Sequence, residues 1–275
     1  MKTILVVANQ TIGSQKLIDA IQARASEGDV RVYLVVPRTR PRHGGVIYDE
    51  SVRQAAEVRV ELARQVMARL GIDVEGEVGD EDPYTATMDA VGHVKPDEIL
   101  VSTLPATASG WLRRDLIERI QQSTGLPVDH VVTDLESEGL PFAVTLVVAN
   151  QTVGAQKLLD RLKRKADESP HIFIVVVPVA GKDGNAIASA RQHLDEALKT
   201  FRDAGLVVAG MVGDPDPYDA TMNALQSFRV SDVIVSTFEA QKSGWLREDL
   251  IERLRDATGK PIEHVTAAEA ASAAS

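Results

Sequence analysis

The chain has 275 residues, 25% of them charged and 44% hydrophobic, with a net charge of −10 and no cysteine. That length accommodates two ordinary globular domains, each large enough to bury its own core. The acidic balance argues against a general nucleic-acid binder, which needs a basic face for phosphates. The missing cysteines exclude disulfides, thiol catalysis and cysteine-ligated metals.

Thr3–Ala8 is a nearly continuous apolar run, which predicts a strand buried on both faces as in a parallel sheet. Asn9-Gln10-Thr11 interrupts the run too soon for a secretory leader, and no stretch approaches a bilayer-spanning length. The expectation is a soluble, cytoplasmic protein without membrane or nucleic-acid partners. Leu17, Ile18 and Ile21 then share one helical face. Val30–Val36 predicts a second strand, and Val58, Val60, Leu62, Val66, Met67 and Leu70 stripe the next helix. A third strand, Ile72–Val78, runs into Val-Gly-Asp-Glu-Asp-Pro-Tyr, where Asp82 reads as a helix cap and Pro83 as the first helical position. Glu98–Ser102 predicts strand four. Ser109-Gly110-Trp111 is expected to open a helix with Leu112, Leu116, Ile117 and Ile120 inward, and Pro127–Val132 predicts strand five.

From about residue 142 the series starts again. Leu-Val-Val-Ala-Asn-Gln-Thr at 5–11 returns unaltered at 146–152, and Val-Gly-Asp-x-Asp-Pro-Tyr at 78–84 returns at 212–218. The predicted strands of the second copy are Val144–Ala149, His171–Val177, Leu206–Val212, Asp232–Ser236 and Pro261–Val265, with Leu158, Leu159 and Leu162 on its first helix. A repeat this long is a duplicated domain, not a layer of a solenoid. The offset shrinks from 141 at Asn9 and Asn150 to 134 at Thr103 and Thr237, so the first copy carries seven extra residues, assigned to the stretch from Pro37 to Glu50. Expected domains are 1–137 and 138–267, with 268–275 a disordered tail.

Four features resemble the universal stress protein family, in particular its tandem members. They are the opening strand ending Leu-Val-Val-Ala, a Thr-x-x-Ser turn (Thr11 to Ser14, first copy only), Val-Gly-Asp-x-x-Pro, and a last strand after Thr-Gly. The resemblance spans both halves. It implies two tandem five-stranded parallel open-sheet α/β sandwiches of order 3-2-1-4-5, an adenine nucleotide α-hydrolase-like fold. That no metal is expected follows from the residues themselves. The resemblance also implies an adenine nucleotide (ATP or AMP) at the C-terminal strand ends and dimerisation through strand five. On that footing the two copies form an internal pseudo-dimer, and a homodimer of the chain is a further expectation.

The order puts a topological switch between strands one and four, where open α/β sheets bind ligands. Candidate cofactor-binding residues there are Asn9, Gln10, Thr11, Val36, Pro37, Arg38, Ser102, Thr103, Ser109, Gly110 and Arg113. Their second-copy partners are Asn150, Gln151, Thr152, Thr237, Ser243, Gly244 and Arg247. Two departures from the family pattern matter. Asn9 and Asn150 stand where nucleotide binders carry Asp, and Ser102 to Gly110 lacks the first two glycines of their phosphate loop. Glycines let backbone amides close on a phosphate with no Cβ in the way. A substitute anion site would use amides at a helix start near Ser109, with Arg113 or Arg114. The insertion adds Arg38, Arg40, Arg42 and His43 to the first copy alone.

Plainer readings stand beside these. Ser109 and Ser243 serve as helix caps, Trp111 and Trp245 as packing against the sheet, and His130 and His264 as structural groups. Asp80, Asp82, Asp214 and Asp216 begin helices rather than hold a metal, and Lys16 and Lys157 are solvated. With no catalytic triad, metal-ligand set or P-loop spacing, the expectation is a non-catalytic stress-response regulator binding an adenine nucleotide in at least the first copy. The alternative is a pair of ligand-free interaction modules.

Overall fold

The structure is a computed structural model and describes residues 1–39, 49–107, 109, 111, 115–181, 184–238 and 249–267. They divide into two compact units, the chain passing from one to the other between Pro141 and Phe142.

The first unit alternates β1 (Lys2–Val7), α1 (Gln15–Glu27), β2 (Val30–Pro37), α2 (Asp49–Arg69), β3 (Val74–Gly79), α3 (Pro83–Val94), β4 (Glu98–Thr103), α4 (Leu116–Thr124) and β5 (Val128–Val132), followed by the short α5 (Leu135–Glu138). The second repeats it as β6 (Ala143–Ala149), α6 (Gln156–Glu168), β7 (His171–Pro178), α7 (Gly184–Asp203), β8 (Val207–Gly213), α8 (Pro217–Ser227), β9 (Asp232–Phe238), α9 (Leu250–Thr258) and β10 (Ile262–Ala267). The sheets have orders β3-β2-β1-β4-β5 and β10-β9-β6-β7-β8, and every pairing is parallel. Both are the expected 3-2-1-4-5 arrangement.

The apolar runs predict strands correctly because both sheet faces are covered. On one face of the first sheet Ile4, Val6, Leu34 and Val36 pack against Leu17 and Ile21 of α1 and Ala56 and Met67 of α2. On the other, Leu5, Val7, Val35, Ile99 and Val101 meet Ala86 and Ala90 of α3 and Leu116 and Ile120 of α4. The second unit builds its core from Val147, Phe173 and Val175 with Leu158, Leu162, Leu194 and Phe201. Leu70 departs from the expected stripe: α2 ends at Arg69, and Leu70 is exposed in the turn that follows.

The repeated motifs have local physical reasons. Asp82 caps α3 through the Thr85 amide at 3.1 Å, and Asp216 caps α8 through the Tyr218 amide at 2.7 Å, each with Pro at the start. The Thr-Gly pairs end α4 and α9. Thr124 and Thr258 return their hydroxyls to the carbonyls four residues back, and Gly125 and Gly259 take left-handed φ of 66° and 61°. Among the described residues no helix is long and apolar enough to cross a membrane.

Candidate functional site

In the first sheet β1 lies between β2 and β4, so the switch point is at the C-terminal ends of these three strands. Asn9 follows β1 and is only 5% exposed. Its Nδ2 donates to the Pro37 carbonyl at 2.6 Å and to Thr39 Oγ1 at 2.9 Å, tying the end of β1 to the end of β2. A carbonyl can only accept, so this contact fixes which end of the amide faces Pro37. The Oδ1 atom is left buried with no hydrogen-bond partner. Asn150 repeats the tie, donating to the Pro178 carbonyl at 2.9 Å, but it is only partly buried. The departure from Asp to Asn therefore has a reason at both positions: an ionised carboxylate has no hydrogen to give the strand-two carbonyl. Val36 is buried in the core, Pro37 closes β2, and Gln10 and Gln151 are exposed.

The hydroxyls at the switch point bond largely to the protein itself. Ser102 donates to Thr11 Oγ1 at 2.8 Å, and Ser14 meets Thr133 at 3.1 Å while capping α1. Thr152, the partner of Thr11, instead donates to the Ser236 carbonyl at 2.8 Å, which leaves the buried Ser236 hydroxyl unpartnered. This difference predicts a contrast between copies. Ser102→Ala should lower stability by about 1–2 kcal/mol, because Thr11 loses a buried partner, whereas Ser236→Ala should be neutral or stabilising. Urea unfolding midpoints of the two variants check this, and equal losses would contradict it.

A threonine–histidine couple recurs at the next position. Thr103 Oγ1 donates to the Leu104 carbonyl at 2.9 Å and lies 2.9 Å from His130 Nε2. Thr237 does the same with the Phe238 carbonyl at 2.9 Å and His264 at 2.7 Å. With the threonine proton spent on a carbonyl, the imidazole must donate its Nε2 hydrogen to the hydroxyl. Burial lowers both imidazole pKa values, with Arg255 adding to the effect at His264, which favours this neutral donor form. A histidine that donates to a hydroxyl is not acting as its base. The couple is a bracket between the last two strands rather than a nucleophile and base, as the plainer reading of these histidines has it.

The segment after β4 differs from expectation. Trp111 does stand in a 3-10 turn opened by Ser109, but the α-helix begins only at Leu116, with Asp115 as its cap residue at φ 49° and no side-chain cap bond. Asp115 sits in the left-handed region, which short polar residues tolerate and a helix interior does not, so the helix cannot extend back through it. Asp249 repeats this at φ 51° before α9. Ser109 is buried, its amide donates to the Pro105 carbonyl at 2.7 Å, and its Oγ accepts from the Trp111 amide at 3.2 Å in a local turn. The free amides of α4 therefore lie beyond Asp115, not at Ser109. Trp111 is half-buried against the apolar cluster of β1, β4, α3 and α4, in line with a packing role. Gly110, Arg113, Arg114, Ser243, Gly244, Trp245 and Arg247 lie outside the described residues, as do Arg40, Arg42, His43 and the 268–275 tail.

Arg38 leans over the end of β3, with Nε 3.3 Å from the Gly79 carbonyl and Nη2 3.7 Å from Asp80. Its counterpart Val179 is 6% exposed and belongs to the second core. The paired aspartates serve the turns: Asp80 and Asp214 accept the amides of Asp82 and Asp216 at 2.9 and 3.0 Å. Lys16 is not simply solvated. It bonds Glu138 at 2.7 Å and the Val132 carbonyl at 3.3 Å, pinning α5 to α1. That contact, with Ser14 and Thr133, escapes sequence reading because its members lie more than a hundred residues apart, although the Thr-x-x-Ser turn does mark Ser14.

Among solved structures, the chain is similar to a universal stress protein from Archaeoglobus fulgidus, with 14% identity, a TM-score of 0.38, and 97% of each chain covered. It is also similar to a functionally unknown protein from Pseudomonas aeruginosa, with 16% identity, a TM-score of 0.34, and 97% of this chain and 93% of that one covered. No protein-family model and no curated protein matches. The architecture rests on the strand order itself: two five-stranded parallel sheets of order 3-2-1-4-5 in one chain fit a tandem universal stress protein arrangement.

Proposed function

We propose that this chain is a non-catalytic stress-response regulator whose first copy receives the adenosine part of an adenine nucleotide at the switch point. The observation that carries this reading is the buried, unpartnered Asn9 Oδ1 at the joint of β1 and β2. An orphaned acceptor of this kind costs about 1–3 kcal/mol unless a donor reaches it. An adenine amino group or a ribose hydroxyl is such a donor, and a phosphate oxygen is not. The loop chemistry agrees, since Thr103 and Pro105 stand where glycines would open backbone amides to phosphates. The second copy is the poorer candidate because its Asn150 is partly exposed and Val179 fills its core in place of Arg38.

A second reading, two ligand-free interaction modules, is favoured by the internal pairing of Ser102 with Thr11 and of Thr103 with His130. Thermal melting with saturating AMP separates the two. A rise in the melting temperature supports the nucleotide reading. An unchanged melt with AMP, ADP and ATP alike removes that reading and leaves the second.

A further inference from the structure

The two copies part at the start of their first helices. In the first, Ser14 caps α1 by accepting the Leu17 amide at 3.3 Å, and Lys16 is anchored to Glu138 at 2.7 Å. In the second, Ala155 stands at the cap with no side-chain bond, and the Leu158 amide falls back on the Ala155 carbonyl at 3.0 Å. The first-turn amides of Gln156 and Lys157 receive no cap from Ala155. Lys157, the counterpart of Lys16, is exposed and holds no carboxylate among the described residues. A Cβ on Gly154, just ahead of this turn, would meet nothing within 4 Å, so the approach is open.

A buried hydroxyl faces the same place. Ser236 is 1% exposed, and its Oγ has no hydrogen-bond partner. Side chains alternate along a strand, so Ser236 shares the face of Ile234, which packs in one core with Leu158, Leu159 and Leu162 of α6. It pairs across the strands with Ala149 at the end of β6, and its carbonyl accepts the Thr152 hydroxyl at 2.8 Å. The Thr152 carbonyl in turn accepts the Ala155 amide at 3.0 Å, which ties Ser236 to the turn that opens α6. In the first copy the matching Ser102 spends its hydroxyl on Thr11.

We propose that the N-terminus of α6, with Lys157 and Ser236, binds a free oxyanion of the phosphate class, in the second copy alone. The first-turn amides and the positive end of the helix dipole attract the charge, and Lys157 neutralises it. The Ser236 hydroxyl donates the inner hydrogen bond, which gives its buried hydrogen an acceptor. Ser236 and Thr152 are both almost fully buried, which favours a small free anion over a phosphate carried on a nucleoside.

The test is calorimetric titration of inorganic phosphate into the full chain at neutral pH, with the Ala155→Asp, Lys157→Gln, Ser236→Ala and Lys16→Gln variants alongside. Aspartate is a good helix cap and both lysines are exposed, so the variants should fold, and unchanged circular dichroism checks this. The expected result is one phosphate per chain. Ala155→Asp should abolish binding, because its carboxylate takes the amides and repels the anion. Lys157→Gln and Ser236→Ala should each weaken it roughly tenfold, and Lys16→Gln, the same change in the first copy, should not alter it. Neither adenosine nor AMP should compete. A flat titration, binding unaltered in Ala155→Asp, or a loss in Lys16→Gln equal to that in Lys157→Gln would overturn the site. Competition by AMP would overturn the assignment to a free anion.

Discussion

Replacing Asn9 with aspartate, the residue nucleotide-binding universal stress proteins usually carry there, should destabilise the first copy by about 3 kcal/mol at neutral pH. The Asn9 amide lies 2.6 Å from the Pro37 carbonyl and the residue is almost fully buried. A carboxylate would exchange that bond for a buried charge facing a carbonyl oxygen. The pH dependence has a definite sign. Burial raises the introduced Asp above its unfolded pKa, so the penalty is complete above the folded value and shrinks as pH falls toward about 3.9. Below the folded value the protonated acid can donate to Pro37 again. Asn150→Asp should cost less, since Asn150 is partly exposed and water can solvate the charge. Urea unfolding of both variants at pH 8 and pH 5 measures this. An Asn9→Asp protein as stable as the parent at pH 8 would show that the amide is not holding the two strands together.

The second large effect belongs to the glycine of the repeated Val-Gly-Asp turn. A Cβ on Gly79 would lie 2.6 Å from the Ala86 Cβ and 2.8 Å from Val35 Cγ1. On Gly213 it would lie 2.7 Å from Val176 Cγ1 and 2.8 Å from the Ala220 Cβ. The alanines sit close to their helix backbones, so no flexible side chain can swing away. Either the helix shifts off the sheet or the strand bends. Gly79→Ala and Gly213→Ala should each cost about 1–3 kcal/mol, and valine more. Gly92→Ala is the control: it meets nothing within 4 Å and lies inside α3, where alanine is the better helix former. Equal urea midpoints for all three alanine variants would refute the close approach.

Much of this fold is legible because its strands are buried on both faces. Val, Ile and Leu in unbroken runs have few alternatives to the middle of a parallel sheet, and duplication presents each run twice. Asp82 with Pro83 and Thr124 with Gly125 are equally readable, since capping is local chemistry. The helix after β4 is less so. Ser109-Gly110-Trp111 does open a 3-10 turn, but the α-helix begins only at Leu116 after the left-handed Asp115, a conformation aspartate tolerates yet adopts too seldom to be marked in sequence. The candidate site is legible only in outline. Asn9 reads as a lost charge until the Pro37 carbonyl is seen against its amide. His130 reads as a lone histidine until Thr103 is found across the β4–β5 register.

The central claim is that the first copy recognises an adenosine moiety through Asn9 without a phosphate cradle. Calorimetric titration of adenosine, AMP and ATP into the full chain tests it most directly. One ligand should bind per chain, the three affinities should fall within roughly tenfold of one another, a spread of about 1.4 kcal/mol, and Asn9→Ala should abolish the signal while Asn150→Ala retains it. No heat from any of the three, or binding that survives Asn9→Ala, would contradict the account.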